Sequence, residues 1–350
     1  MKIGHQKLDK ESNAFIIAEL SANHGGSLEV ALETVRAAKR AGADAIKLQT
    51  YKPETITLLS DKEDFKVSGG TLWDGRTLYD LYEEAHTPWE WHKDIFECAK
   101  QEGLVCFSSP FDKTAVDFLE ALNVPAFKIA SFEITDIPLI KYAASKGKPM
   151  ILSTGIATLE DIELALRACR DAGATEIGLL KCTSSYPAPI EQANLRMIQE
   201  FERSFNVVPG LSDHTLGATV PMLSVAMGAK IIEKHFILDK SLGGPDASFS
   251  LDEGEFKEMV DLVRLAEKAL GQVSFELTDK QKQGRSFSRS LYISKDIRKG
   301  EYFTEENVRS VRPGFGLHPK FYDEILGERA KTNLEKGDRL KLNNIEKHED

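Results

Sequence analysis

The stretch KIIEKHF, residues 230–236, begins as a buried strand and ends on three ionisable side chains, Glu233, Lys234 and His235. A strand that crosses an apolar interior is expected to be apolar along its whole length. A single polar end indicates little, because a lone terminal histidine is usually capped or solvated. The other strands of the chain therefore decide how this stretch is interpreted.

Seven more segments of strand length precede this one, and amphipathic helical patterns separate them. One helical pattern, residues 158–174, opens with Thr158 as N-cap and Asp161 three residues later. Strict alternation predicts a parallel sheet, and eight units over roughly 270 residues predict a closed (β/α)₈ TIM barrel. A doubly wound open sheet is the alternative, but no glycine-rich phosphate loop follows the first strand. The predicted strands are 15–20, 45–51, 104–109, 126–131, 149–154, 177–183, 208–213 and 230–236.

Composition excludes several classes of protein. The chain has 350 residues, a formal net charge of −10 and no basic stripe, so we expect no nucleic-acid partner. We expect no membrane partner, because no run is apolar enough to span a bilayer and residues 1–15 lack a signal-peptide core. The four cysteines lie far apart without a CxxC pair, which predicts buried thiols in a cytoplasmic protein.

The sequence also predicts how the chain is divided. Residues 52–88, between the second and third predicted strands, form a long insertion of the kind that builds a lid or wall over a site. The polar stretch TDKQKQGRSFSR, residues 278–289, is typical of a linker, and short strand-like pieces and turns follow it. We therefore predict a TIM-barrel domain at 1–278, a linker at 279–287 and a small second domain at 288–350.

Polar groups are concentrated at the carboxyl ends of the predicted strands. Alternate residues of a strand point to opposite sides of a sheet, so one parity faces the barrel interior. That parity carries Glu19, Lys47, Gln49, Lys128, Ser153, Lys181, Thr183, Ser212, His214, Glu233 and His235. The opposite parity is apolar, with Ile46, Leu48, Phe127, Ile129, Leu180 and Leu211. Barrel enzymes build their active sites at this end, so we predict the site there.

Three inward lysines, Lys47, Lys128 and Lys181, predict an anionic ligand. One inward lysine alone is equally well explained as a structural ion pair, but burying three together costs several kcal/mol unless anions balance them. Glu19 and Glu233 supply part of the balance, and a phosphate plus a carboxylate of the ligand would supply the rest. Further donors to phosphate oxygens are the hydroxyls of Ser131, Ser153 and Ser212.

His214 and His235 end consecutive strands, which lie about 4.8 Å apart in a sheet. Imidazoles at such ends are placed to share one metal ion, which would polarise a carbonyl as a Lewis acid. A hydrogen-bonded histidine pair without metal is the alternative. His24, in the loop after the first strand, is expected to be solvated.

At these residues the sequence resembles the sialic acid synthase family, which condenses phosphoenolpyruvate with an amino-sugar aldehyde to give a nine-carbon keto acid. The tail resembles the antifreeze-like SAF (β-clip) domain attached to these synthases. The resemblance implies a domain-swapped homodimer in which this domain caps the partner's barrel, with folding onto its own barrel as the alternative. The motifs are IIAELSANHGGSLE, AGADAIKLQTY, FKIASFEI, LSTG, KCTSSYPAP, GLSDHTLG, IIEKHF, GGPDASFS and VRPGFGLHP.

The resemblance also implies roles for individual residues. It implies a Mn²⁺ or Mg²⁺ cofactor on His214 and His235, and a carboxylate of Glu133 between the two substrates. Arg312, in VRPG, matches an arginine that reaches an N-acetyl group in the other subunit. The predicted catalytic residues are Glu19, Lys47, Lys128 and Glu133. The predicted substrate-binding residues are Asn23, Gln49, Ser131, Ser153, Lys181, Tyr186, Ser212, Asp246 and Arg312, of which Lys181 rests on strand parity.

Two departures from the family pattern bear on the sugar. KCTSS, starting at Lys181, stands where N-acetylneuraminate synthases have HCTN, and Ser21-Ala22-Asn23 replaces a Gly-x-Asn pattern. These variants resemble the bacterial branch that uses 2,4-diacetamido-2,4,6-trideoxy-altropyranose. The alternatives are N-acetylmannosamine and a diacetamido-mannose, which lead to N-acetylneuraminic and legionaminic acids.

Two functions outside this family are the alternatives. A Schiff-base aldolase would use Lys128 or Lys181 as nucleophile and need no metal. A non-enzymatic scaffold carrying an ice- or glycan-binding tail would have no need of charged strand ends. The clustering of those ends favours the synthase.

Overall fold

Eight parallel strands close into a barrel, as the alternation of the sequence predicts. The computed structural model describes residues 1–68, 70 and 73–346. A short antiparallel hairpin, β1 (Lys2–Ile3) and β2 (Gln6–Lys7), precedes the barrel, whose strands follow one another in sequence order until β10 pairs with β3. The barrel strands are β3 (Phe15–Glu19), β4 (Ala45–Thr50), β5 (Val105–Pro110), β6 (Phe127–Ile129), β7 (Met150–Ser153), β8 (Ile177–Cys182), β9 (Val208–Asp213) and β10 (Ile231–His235).

Helices cover the barrel, and local capping signals begin several of them. The hydroxyl of Thr158 accepts from the N–H of Asp161 at 3.3 Å, and the carboxylate of Asp161 accepts from the N–H of Thr158, so the predicted capping box is confirmed. The helices of the barrel are α1 (Leu28–Arg40), α2 (Pro53–Ile56), α3 (Leu78–Ala85), α4 (His92–Gln101), α5 (Lys113–Ala121), α6 (Ile137–Ala144), α7 (Leu159–Asp171), α8 (Arg196–Phe205), α9 (Thr219–Ala226) and α10 (Glu253–Leu270).

Two glycines shape the interior of the barrel below its mouth. A Cβ on Gly210 would lie 2.5 Å from Leu180 Cδ2, and one on Gly178 would lie 2.9 Å from Ile231 Cδ1. Both positions therefore stay small so that larger neighbours fill the barrel. Paired residues of parallel strands face the same side, so the register aligns Leu180 with Gly210 in the interior. The other large interior side chains are Phe15, Ile17, Phe107, Ile151 and Ile231.

The chain divides into two compact units, Met1–Gly271 and Gln272–Asp350. The second unit contains α11 (Asp279–Gly284), an antiparallel pair β11 (Ser290–Ile293) and β12 (Val308–Val311), α12 (Tyr322–Ile325), and the pair β13 (Arg329–Ala330) and β14 (Ile345–Glu346). Its core is built from Leu291, Ile293, Ile297, Phe303, Val308 and Ile325.

Parts of two predicted regions lie outside the described residues. The long insertion at 52–88 contains α2 and α3, and its residues 69, 71 and 72 are not described. The last four residues of the predicted tail domain, 347–350, are not described either. Across the described ranges, every helix is too short or too polar to span a bilayer.

Candidate active site

Two lysines and two glutamates form a buried charged cluster at the carboxyl ends of the strands. Lys47 of β4 contacts the carboxylate of Glu19 on β3 and lies 3.8 Å from Glu233 on β10. Lys128 of β6 lies 3.7 Å from the same Glu233. All four side chains are buried. The structure therefore brings Glu19, Lys47 and Lys128 together, as predicted.

Serine hydroxyls surround this cluster. The ammonium of Lys128 donates to Ser153 Oγ at 2.7 Å, and Ser212 Oγ donates to Glu233 at 3.0 Å. Lys47 donates to Ser109 Oγ at 3.2 Å. Sequence reasoning missed Ser109, although the signal was present: it shares the parity of Phe107 at the polar end of β5. The mouth thus offers ammonium and hydroxyl donors on adjoining strands.

Burial and neighbouring charge shift the pKa values of the two glutamates of this cluster in opposite directions. Burial raises the pKa of Glu19 to about 7 even though Lys47 opposes it. Burial also acts to raise the pKa of Glu233, but Lys128 and Lys47 outweigh it and hold that pKa below its ordinary value. Glu233 is therefore the ionised partner of the lysines, and Glu19 titrates near neutrality. When Glu19 keeps its proton, the cluster carries one negative charge fewer.

His214 and His235 lie edge to face beside the cluster, with ring centroids 5.3 Å apart. His214 Nδ1 donates to the carbonyl of Thr183 at 2.9 Å, which fixes that ring. His235 Nδ1 is buried without a hydrogen-bond partner among the described residues, 3.6 Å from Asp246 Oδ2. Burial and the neighbouring His214 hold the pKa of His235 well below its usual range, so its imidazole is neutral.

Aromatic rings form one wall of this histidine pair. Tyr186 lies 4.4 Å from His214 and 5.1 Å from Phe249, measured between ring centroids. Phe249 in turn lies 5.0 Å from His235. Within the described part of the chain, no third histidine, cysteine or acidic side chain completes a three-ligand metal group. A metal held by these two imidazoles would therefore keep open positions.

Glu133 and Ser131 share a short 3₁₀ helix, Ser131–Glu133, that follows β6. Burial raises the pKa of Glu133 to about 7, with Lys128 opposing it, and its Oε2 has no hydrogen-bond partner among the described residues. Ser184 Oγ donates to Ser131 Oγ at 2.7 Å. A Cβ on Gly155 would lie 2.1 Å from Ser184 Oγ and 2.5 Å from Ser131 Oγ, so this hydroxyl pair requires glycine there.

Asn23 and His24, in the loop after β3, are tied into the protein. The amide nitrogen of Asn23 donates to the carbonyl of Phe236 at 3.0 Å and to Ser250 Oγ at 2.8 Å, so its hydrogens brace the site. The expectation that His24 is solvated is wrong. It is buried edge-on against Trp91, because its Nδ1 accepts from the N–H of Gly26 and the loop folds inward.

The predicted orientation of Lys181 is also wrong. The register pairs Lys181 with the outward-facing Leu211 and Cys182 with the inward-facing Ser212, so Cys182 and Leu180 face the interior. The Lys181 ammonium donates to the carbonyl of Cys182 at 2.5 Å and to Thr183 Oγ1 at 3.1 Å. Its described contacts are with the end of its own strand, so it does not form a third lysine of the charged cluster.

The remaining predicted residues differ in their surroundings. Gln49 is half-buried on the inward face of β4 and paired in register with Ser109. Asp246 is buried, and its Oδ2 accepts weakly from the N–H of Ala22 at 3.5 Å. Arg312 belongs to the second unit, where it follows β12 and is exposed.

Fold and site together define a barrel enzyme with a buried charged cluster and paired imidazoles at its mouth. The model of the NeuB family matches residues 34–275, and that of the SAF domain matches 288–346. This chain belongs to the NeuB family, and the predicted resemblance to sialic acid synthases is confirmed.

Three known proteins place the chain more closely. It is 55% identical to the pseudaminic acid synthase of Campylobacter jejuni over 97% of this chain and 98% of that protein. It is 49% identical to the pseudaminic acid synthase of Helicobacter pylori, over 95% and 98% of the two chains. The solved N-acetylneuraminic acid synthetase of Leptospira borgpetersenii is 31% identical with a TM-score of 0.73, over 81% of this chain and 94% of that one.

Proposed function

We propose that this protein condenses phosphoenolpyruvate with 2,4-diacetamido-2,4,6-trideoxy-altropyranose and water, giving pseudaminic acid and phosphate. The observation that carries the proposal is the buried set of ammonium, hydroxyl and imidazole groups at one barrel mouth. The relatives at 55% and 49% identity are both named pseudaminic acid synthase, whereas the N-acetylneuraminic acid synthetase is 31% identical. This difference supports the choice of sugar.

The lysine side of the mouth suits phosphoenolpyruvate. Lys128 and Ser153 present donors to a phosphate or carboxylate oxygen, Lys47 adds a second ammonium, and Ser212 holds the carboxylate of Glu233 beside them. Glu19, with a pKa of about 7, can keep a proton and so lower the negative charge that the ligand meets. Binding in this pocket replaces a bimolecular search with a held geometry.

We infer that His214 and His235 hold a Mn²⁺ or Mg²⁺ ion. The unpartnered Nδ1 of His235 and the ring of His214, which the Thr183 carbonyl holds through Nδ1, support this inference. Bound there, the ion would supply Lewis acidity toward the carbonyl oxygen of the sugar.

Glu133 is the group that we assign to proton handling. The reaction joins the enol carbon of phosphoenolpyruvate to the aldehyde carbon, and water then adds at C2 before phosphate leaves by C–O cleavage. The buried, unpartnered Oε2 of Glu133 is an acceptor for a proton of that water. Its pKa of about 7 suits a base that works near neutral pH.

A substrate panel tests the proposed function. We expect the highest kcat/KM for phosphate release with the diacetamido-altrose, by about 10²-fold or more over N-acetylmannosamine, because a site built for a second acetamido group loses hydrogen bonds without it. The measurement is phosphate release from phosphoenolpyruvate with each of the three amino sugars, and the control omits the sugar. Preference for N-acetylmannosamine or the diacetamido-mannose would overturn the assignment.

We further infer a cytoplasmic homodimer in which each tail domain caps the partner's barrel. All four cysteines are buried free thiols, which supports the location, and the exposed Arg312 supports a role in reaching another site.

Mixing of inactive subunits tests the swapped arrangement. His235→Ala and Arg312→Ala are each expected to be nearly inactive alone. Their co-refolded mixture is expected to recover about a quarter of wild-type activity, because half of the dimers carry one complete site. A mixture that stays inactive although native mass spectrometry shows mixed dimers would mean that Arg312 acts within its own subunit.

A further inference from the structure

The ion pair of Asp213 and Lys234 lies in the barrel wall directly beside the two histidines. The register pairs Asp213 of β9 with Lys234 of β10, and the residue after each is His214 or His235. The preceding pair, Ser212 and Glu233, faces the interior, so Asp213 and Lys234 face outward beneath the helices. Both side chains are buried. Sequence parity assigned this outer face to apolar residues, so a charged pair here calls for an explanation.

The pair closes a set of polar contacts around the turn that carries His214. The Lys234 ammonium donates to the Asp213 carboxylate and to the carbonyl of Thr215. The Asp213 carboxylate accepts from the N–H and from the hydroxyl of Thr215, both at 3.0 Å. His214 lies between these two residues in sequence, and its ring is held separately by the Thr183 carbonyl at 2.9 Å. The backbone on both sides of His214 is thereby tied to β10.

Stability alone does not account for this arrangement. Replacing a buried ion pair by apolar groups of similar volume is often neutral or stabilising, whereas removing one partner leaves an uncompensated charge. An apolar pair makes no directional hydrogen bonds, so it cannot hold the carbonyl and the N–H of Thr215 at fixed positions. The contribution particular to this pair is therefore geometric.

We propose that Asp213 and Lys234 are positioning residues that fix the spacing and orientation of the His214 and His235 imidazoles for a divalent cation. This rests on the metal role of the two histidines under the proposed function. Neither side chain is a ligand. Each acts through the backbone that carries the adjacent histidine, so its loss should weaken metal binding more than phosphoenolpyruvate binding.

The test uses Lys234→Met and the double variant Asp213→Asn/Lys234→Met in the full-length protein. The double variant leaves no unpaired charge, and Asn keeps an acceptor for the Thr215 N–H, so we expect it to fold and melt close to wild type. We expect its Kd for Mn²⁺, measured by electron paramagnetic resonance with Mn²⁺ alone, to rise by about 10-fold or more, in the range of outer-shell substitutions. The kcat should fall while KM for phosphoenolpyruvate stays within about twofold.

A control removes a partly buried ion pair elsewhere in the same barrel. Arg264 of α10 pairs with Asp44 at 2.9 Å and donates to the Ala14 carbonyl, at the amino ends of the strands. Arg264→Met should lower the melting temperature and leave Mn²⁺ affinity unchanged. A folded double variant that binds Mn²⁺ as tightly as wild type would overturn the positioning role. Equal Mn²⁺ affinity of wild type and His235→Ala would instead overturn the metal role within the proposed function.

Discussion

Replacing His235 with alanine is expected to lower kcat/KM for phosphate release by about 10³-fold or more, since a Lewis acid contributes several kcal/mol to such a step. His235 supplies one of the two imidazoles, and its buried Nδ1 has no hydrogen-bond partner among the described residues. Alanine leaves His214 as a single imidazole, which holds a divalent ion poorly. The assay is steady-state phosphate release with saturating phosphoenolpyruvate and sugar.

Removal of the metal ion by a chelator is expected to have the same effect on the wild type. EDTA should inactivate the wild type, and added Mn²⁺ or Mg²⁺ should restore it but not His235→Ala. The matched control is His92→Gln, because His92 is also buried but bonds to Thr50 at 2.8 Å, behind β4. The His92→Gln variant should remain active. EDTA should abolish this activity, and added metal should restore it. Full turnover of the wild type in EDTA would contradict the metal assignment.

The barrel was predictable because its signals are local. Each strand is a short apolar run, and helices such as α7 begin at a capping box that depends on residues three apart. The inward parity was also correct where a strand alternates clearly. In β4, Ile46 and Leu48 pack outward while Lys47 reaches Glu19.

Which residues of β8 face the barrel interior was not predictable from the strand's own sequence. Leu179 and Leu180 are both apolar because a parallel strand is buried on both faces, so a period of two has no clear phase there. Strand parity was therefore counted from the wrong residue, and Lys181 was assigned inward with Leu180 outward. What fixes the phase lies on the next strand, where Gly210 leaves room for Leu180 inside the barrel.

Contacts between distant segments were also not predictable, because they depend on how neighbouring strands pair. The outward pair of Asp213 and Lys234 is apparent only when the register of β9 and β10 is known. Asn23 is predicted to bind substrate, and the structure adds that its amide nitrogen bonds to Phe236 and Ser250, more than 200 residues away in sequence. Sequence patterns identify the polar residues at a barrel mouth, whereas only tertiary contacts show which of them stabilise its structure.

Replacing Glu133 with glutamine is expected to lower kcat by about 10²- to 10⁴-fold, the usual contribution of a general base. The wild-type kcat should rise with pH and level off above a midpoint near 7, because burial raises the pKa of Glu133 to about 7 and only the ionised carboxylate accepts a proton. Glutamine keeps the volume but cannot ionise, so the variant should lose this limb of the profile. The measurement is kcat from pH 5.5 to 8.5 in both proteins.

Glu19 provides the matched control, because burial raises its pKa to about 7 as well. Its partner is Lys47, whereas Glu133 Oε2 has no described partner and is available to an incoming water. Glu19→Gln should therefore retain the rise of kcat through pH 7, whatever its effect on binding. If instead Glu133→Gln keeps that rise and Glu19→Gln loses it, the base of the reaction is the carboxylate beside Lys47.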